Sequence, residues 1–312
     1  MGDQEKPLSG MKIGIFGKGG SGKSTVTVLL AKALRDTGYE VCVLDADTTN
    51  VGICSAIGVE EPRVALIEYY GGMVFSGGSV TCPVDDPTRL PGAELALDQL
   101  PPDLLARSGD GIHLLTAGKI GHRAAGAGCD GPIAKIARDL RVRMNGERPV
   151  TLVDFKAGFE DSARGVVAGL EWAVVVVDPT RAALQMAADL RNTIEGLRAG
   201  ALPATAHLES PTLVSIANRI YRESDIGGVL CVLNRVPDAA TEEYLRLELG
   251  LAGMKPAGAV PADQRISEAW LKGMPIDAGW VREAMLPIVE ELQSAQLERA
   301  DVSQVGRLGN AR

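Results

Sequence analysis

The chain has 312 residues, 46% of them hydrophobic and 23% charged, with a formal net charge of −8. That length and balance suit a soluble protein of one or two domains, and the acidic surplus argues against nonspecific nucleic-acid binding. No apolar run reaches the length of a membrane span, the first ten residues lack a signal-peptide core, and the five cysteines (Cys42, Cys54, Cys82, Cys129, Cys231) form no C-x-x-C or C-x-C pair, so the expectation is a cytoplasmic protein with no membrane anchor and no disulfide framework.

Apolar runs alternate with helical patterns along the chain, which predicts an α/β fold: a doubly wound, mostly parallel sheet with helices on both faces. Residues 1–10 read as a flexible N-terminus. Strand Lys12–Phe16 is followed by helix Ser24–Asp36 and strand Glu40–Asp45. Residues 58–110 are rich in Gly, Pro and Asp and read as an insertion on the ligand face, with one helical candidate at Gly92–Leu105. Strand Ile112–Thr116, helix Pro132–Arg143 and strand Thr151–Phe155 come next. The run Ala173–Asp178 lacks polar alternation and reads as a central strand covered on both faces. Helix Ala182–Leu197, strand Leu230–Arg235, helix Thr241–Glu248, a short strand Gly258–Val260 and helix Val281–Glu298 complete one domain over 11–299, and 300–312 reads as a flexible, frayed tail.

Between the first strand and the first helix stands Gly17-Lys18-Gly19-Gly20-Ser21-Gly22-Lys23-Ser24-Thr25. This is the full G-x-x-x-x-G-K-[ST] phosphate-loop pattern in its required strand–loop–helix setting. Glycines let backbone N–H groups converge on phosphate oxygens, and the helix N-terminus adds positive potential. Lys23 is expected to reach the β- and γ-phosphates, and Ser24 to bind Mg²⁺. The second strand ends in Asp45-Ala46-Asp47, and ligands of open α/β sheets sit at carboxyl strand ends, so both carboxylates belong beside the phosphates. A later apolar strand closes on Asp154, the pattern in which a carboxylate holds the Mg²⁺ shell. Gly158 follows as an expected hinge with an N–H that can approach the γ-phosphate.

The second lysine of the loop, in G-K-G-G-x-G-K-[ST], makes the chain similar to the deviant-Walker P-loop ATPases: the cell-division and plasmid-partition ATPases, the nitrogenase iron protein and the nickel-insertion ATPases of carbon monoxide dehydrogenase. The resemblance implies a homodimer formed on ATP binding, with Lys18 of each protomer reaching the other's nucleotide, and hydrolysis to ADP and phosphate. It implies that Asp47 positions the attacking water, that Asp45, Asp47 and Asp154 support Mg²⁺ partly through water, and that Asp154–Gly158 forms the second switch. Thr48 stands where proline is usual in the first switch. Asn234-Arg235 resembles the adenine-binding motif, and Pro261-Ala262-Asp263 the loop near the base.

Further matching segments resemble most closely the nickel-insertion accessory ATPases. They are Ala117-Gly118-Lys119-Ile120, Gly126-Ala127-Gly128-Cys129, Asp154 to Glu160 with Arg164-Gly165, Asp178-Pro179-Thr180, and Pro261 to Pro275. That family is expected to carry a metal-binding C-x-C where this chain has Cys129-Asp130-Gly131. Cys129 is therefore the candidate ligand for a cargo Ni²⁺ or Zn²⁺ at a dimer interface, with Asp130 and His122 as candidates to complete it, and a client metalloenzyme is the implied partner. Ala157 stands where the iron protein's second cluster cysteine lies, which disfavours a bridging cluster. A spatial-positioning ATPase is the alternative class. Its membrane type needs a basic amphipathic C-terminal helix and its partition type a basic surface.

Overall fold

The computed structural model describes residues 6–120, 129–279 and 281–309. In chain order the elements are β1 (Lys12–Gly17), α1 (Lys23–Asp36), β2 (Val41–Asp45), α2 (Ile53–Ile57), α3 (Leu66–Tyr69), β3 (Glu94–Ala96), β4 (Ala106–Arg107), β5 (His113–Thr116), α4 (Gly131–Asp139), β6 (Arg141–Arg143), β7 (Val150–Asp154) and α5 (Glu160–Ala163). They continue as β8 (Trp172–Val177), α6 (Arg181–Arg198), α7 (Pro211–Arg222), β9 (Gly228–Val236), α8 (Ala239–Leu251), β10 (Pro256–Pro261), α9 (Gln264–Lys272) and α10 (Arg282–Gly309).

Eight strands form one sheet in the order β10-β9-β8-β1-β7-β2-β5-β4, parallel except for the short edge strand β4. Alternate residues of the central strands feed two separate cores, because successive side chains of a strand point to opposite faces. Phe16, Leu44, Val153, Phe155, Val175 and Leu233 enter one core, under α4 and α6. Ile13, Ile15, Val43, Leu152, Val174 and Val176 enter the other, under α1 and α10. On α1, Val26, Leu29, Leu30 and Leu34 recur at helical spacing and are all buried. The unbroken valines of β8 are buried on both sides, as their lack of alternation predicts. The register sets Asp45 opposite Asp154 at the carboxyl ends of β2 and β7, beside the end of β1.

The insertion is not a separate unit: Leu66, Ile67, Met73, Val80, Leu95 and Leu104 join the first core. Three local expectations fail. Gly92–Leu105 forms no α-helix. Gly92 has a φ of 68°, Leu95 and Ala96 are buried in β3, and Pro101-Pro102 removes two backbone donors. The predicted helix through Arg143 stops at Asp139, because Leu140 turns to extended geometry and Arg141–Arg143 pairs with β3. The tail is helical to Gly309 rather than frayed, since no proline interrupts the backbone after Pro287. Helices α7 and α9 were not anticipated.

Candidate nucleotide and switch site

The loop between β1 and α1 is shaped by its glycines. Gly20 and Gly22 have φ of 83° and 87°, and a Cβ at Gly22 would stand 2.2 Å from Asn234 Nδ2. Asn234 is that close because it donates to Ser21 O (2.7 Å), while Arg235 donates to Gly20 O (2.6 Å). Arg235 holds a left-handed φ of 57°, a strained setting for a non-glycine residue. The two predicted base-binding residues thus brace the back of the loop from β9. Lys23 is buried, and among the described residues no acceptor bonds its ammonium. It lines a cavity of about 270 Å³ with Gly20, Gly22, Ser24, Thr25, Asp47, Asn50, Ala157, Arg235 and Trp270.

Ser24 Oγ donates to Asp154 Oδ2 (2.6 Å) and accepts from Asn50 Nδ2 (2.7 Å). Thr27 Oγ1 donates to the other oxygen of Asp154 (3.1 Å). Burial pushes the Asp154 carboxyl up to about 6, against the Ser24 hydrogen bond and the nearby Lys23 charge. A serine hydroxyl joined to a fully buried carboxylate, with Asp47 close by, is a hard-oxygen donor set that fits Mg²⁺. Ser24 and the Asp154 and Asp47 carboxylates are the side chains that would hold it.

Asp47 is buried, and its Oδ1 accepts from Thr49 N (3.0 Å), Thr49 Oγ1 (2.7 Å) and Asn50 N (3.2 Å). Among the described residues Oδ2 receives no hydrogen bond, so one oxygen fixes the first switch while the other stays available. Asp45 stands differently. Lys119 Nζ pairs with its Oδ2 (2.6 Å) and also donates to Asp47 O (2.7 Å) and to Asn50 O. Burial pushes the Asp45 carboxyl up to about 7, while Lys119 pulls it down. Asp45 therefore anchors the lysine that ties down the first switch, and it does not line the phosphate cavity. Lys119 had no role read from the sequence; its only signal was its place in the Ala117–Ile120 segment.

Gly158 has a φ of 99°, and its N–H donates to Gly17 O (3.2 Å). The second switch thereby rests on the phosphate loop. Lys18 lies back along its own chain, 3.3 Å from Asp178 Oδ2. Pro261 ends β10, and Asp263 caps α9 by accepting from Arg265 N (2.6 Å), so neither reaches the phosphate cavity directly. Their contribution is to start the helix that brings Trp270 in. Trp270 Nε1 donates to Thr25 Oγ1 (2.9 Å), a contact that sequence reading missed.

Asp130 joins the two switches. Its Oδ1 accepts from Thr48 Oγ1 (2.9 Å) in the first, and its Oδ2 pairs with Lys156 Nζ (2.6 Å) in the second. Both oxygens are engaged, which corrects the expectation of a free ligand beside Cys129. His122, Gly126, Ala127 and Gly128 lie outside the described residues. Among those described, no three His, Cys, Asp or Glu side chains gather as a metal cluster within one chain.

The profile of the CobQ/CobB/MinD/ParA nucleotide-binding domain matches residues 15–276. The chain belongs to that family. It is 32% identical over 225 residues to the carbon monoxide dehydrogenase accessory protein CooC of Rhodospirillum rubrum, covering 70% of this chain and 78% of CooC. It is 34% identical over 189 residues to an uncharacterized ATP-binding protein of Methanocaldococcus jannaschii, covering 60% of this chain and 74% of that one. Among solved structures it is similar in fold to the septum site-determining protein MinD of Pyrococcus horikoshii with Mg-ADP (TM-score 0.57, 19% identity, 90% of this chain and 95% of that one). The deviant-Walker resemblance and the doubly wound fold are thus both shown, with CooC among the near relatives. No helix among the described residues is long and apolar enough to cross a membrane.

Proposed function

We propose that the protein is a Mg²⁺-dependent switch ATPase that closes as a homodimer on ATP and uses hydrolysis to assist metal insertion or maturation of a client metalloenzyme. Lys23 neutralises the β- and γ-phosphate oxygens, and Asn234 and Arg235 hold the loop and the purine side. Bound Mg²⁺ would draw charge off the phosphates at Ser24. Asp47 Oδ2 accepts a proton or hydrogen bond from the attacking water. Lys18 leaves Asp178 and turns to the partner's phosphates. Loss of the γ-phosphate frees Gly158 to return to Gly17 O.

The observation that carries this reading is Asp130. One carboxylate, next to Cys129, is gripped by both switch loops, so a change at either is felt at the cysteine segment. The similarity to CooC, a carbon monoxide dehydrogenase accessory protein by name, supports a metalloenzyme client. The test is sedimentation and ATP turnover with and without a non-hydrolysable analogue, for wild type and Lys18→Ala. The analogue should dimerise wild type only. Analogue-dependent dimers of Lys18→Ala would remove the trans-acting lysine, and a wild type that stays monomeric would remove the dimeric switch.

A further inference from the structure

The phosphate cavity is walled by the loop, by both switches and by the end of β9, and on one flank by Trp270 of α9. The indole spans two of the neighbouring elements. Its N–H donates to Thr25 Oγ1 (2.9 Å) in the first turn of α1. Its six-membered ring covers Gly52, just after the first switch: a Cβ there would stand 2.7 Å from Cζ3 and 3.0 Å from Cε3. Gly52 has a φ of −103°, an ordinary setting for any residue, so the ring and not the backbone explains the missing side chain. The Gly52 N–H donates to Asn50 Oδ1 (3.0 Å), and Asn50 Nδ2 donates to Ser24 Oγ (2.7 Å). One ring therefore ties the helix of the phosphate loop to the first switch. The helix that carries it is lightly seated. Ile266, Ala269 and Trp270 are half-buried against the second core, and no residue of α9 is fully buried. Backbone bonds fix the chain on either side, Ala262 N–H to Val236 O (2.9 Å) and Ile276 N–H to Ala56 O (2.9 Å). A segment with few buried apolar contacts between two fixed points opens more easily than the core it covers.

We propose that Trp270 is a gate on nucleotide exchange. With the ring down, the flank of the cavity between Thr25 and Gly52 is shut. Lifting α9 breaks the indole–threonine bond, uncovers Gly52 and lets nucleotide pass in either direction. Trp270 takes no part in the chemistry and acts as a positioning residue: it holds Thr25 and retains the nucleotide while the switches respond. The gate rests on the ATPase reading above and adds to it the step that sets how long each nucleotide state lasts.

The experiment is stopped-flow exchange on the full chain with MgADP that carries an N-methylanthraniloyl group on its ribose. Entry is followed on mixing, and exit on chasing with excess unlabelled ADP. A gate slows both directions, so its loss should speed both and move Kd less than either rate. A wall that only touched the bound nucleotide would change exit alone, and that result overturns the gate. Trp270→Phe keeps a ring over Gly52 but loses the N–H, so exit should quicken by about 2- to 10-fold, the scale of one neutral hydrogen bond. Trp270→Ala should be faster still. Gly52→Ala places a methyl where the ring lies, at a residue outside the cavity lining. It should speed exchange in the wild-type chain and add nothing in Trp270→Ala, because the ring it displaces is already gone. A general loosening of the fold would instead add in the double variant, and such additivity overturns the gate, as do wild-type entry and exit rates in Trp270→Ala. A wild type that takes up no labelled nucleotide overturns the ATPase reading itself, and the gate with it.

Discussion

Two buried lysines flank strand β1, and they are treated in opposite ways. At its start, Lys12 Nζ donates to Arg138 O (3.1 Å) and Leu140 O (2.8 Å), and its backbone N–H donates to Glu171 (2.7 Å). Past its end, Lys23 is also buried, but its ammonium has no hydrogen-bond acceptor among the described residues and lines the cavity beside Asp154. A cation that faces a cavity without a hydrogen bond is left open to an anion there. Lys12 ties β1 to the turn after α4, whereas Lys23 is left open to the cavity. The same contrast runs through the carboxylates. Asp45 and Asp130 have both oxygens engaged, while Asp47 has one oxygen fixed and one available.

The strongest test of that contrast is Asp47→Ala. It should lower ATP turnover by about 10²- to 10⁴-fold, the range for losing a positioned acid–base group, while ATP binding by equilibrium dialysis stays within a few fold. Equal losses of binding and turnover would mean that Asp47 only shapes the loop. Next comes Lys23→Ala, expected to weaken ATP binding by about 10- to 100-fold, the scale of one hydrogen bond to a charged group. Its Tm without nucleotide should change little, because the ammonium makes no hydrogen bond among the described residues. A fall in Tm with unchanged ATP affinity would make Lys23 a second Lys12.

How visible these roles are in the sequence depends on how the contacts are built. The phosphate loop is contiguous and its geometry follows from glycine positions, so Gly17 to Thr25 reads directly. Asp47 and Asp154 read almost as well, because parallel strands deliver their ends to one edge. Lys119 and Asp130 do not, since their partners lie 26 to 82 residues away. Helix α9 packs only Ile266, Ala269 and Trp270 against the second core, none of them fully buried, and Leu271 is exposed, so its apolar stripe is short. Helix α7 buries only Ala217 and Ile220. Gly92–Leu105 misled because its leucines pack singly beneath an irregular chain rather than along one helix face.

Lys12 gives the smallest and most specific prediction. Burial lowers its ammonium to about 7, with Arg141 and Arg138 adding to the effect and Asp139 and Glu171 opposing it. The unfolded chain keeps that proton up to the ordinary value of 10.5. Between these values the unfolded state binds more protons than the folded one, so stability rises with pH. The rise cannot exceed about 1.4 kcal/mol per pH unit for one proton. Above about pH 9 the buried thiols Cys42 and Cys231, pushed up to about 12, stay protonated in the folded chain but ionise in the unfolded one, which turns the slope downward. Denaturation in urea should therefore show wild type gaining stability from pH 7 to 9, and Lys12→Met losing most of that gain while its ATP affinity is unchanged. An identical slope in the variant would mean that Lys12 keeps its proton throughout, held by the two carbonyls, and the two ends of β1 would then differ in partners but not in charge.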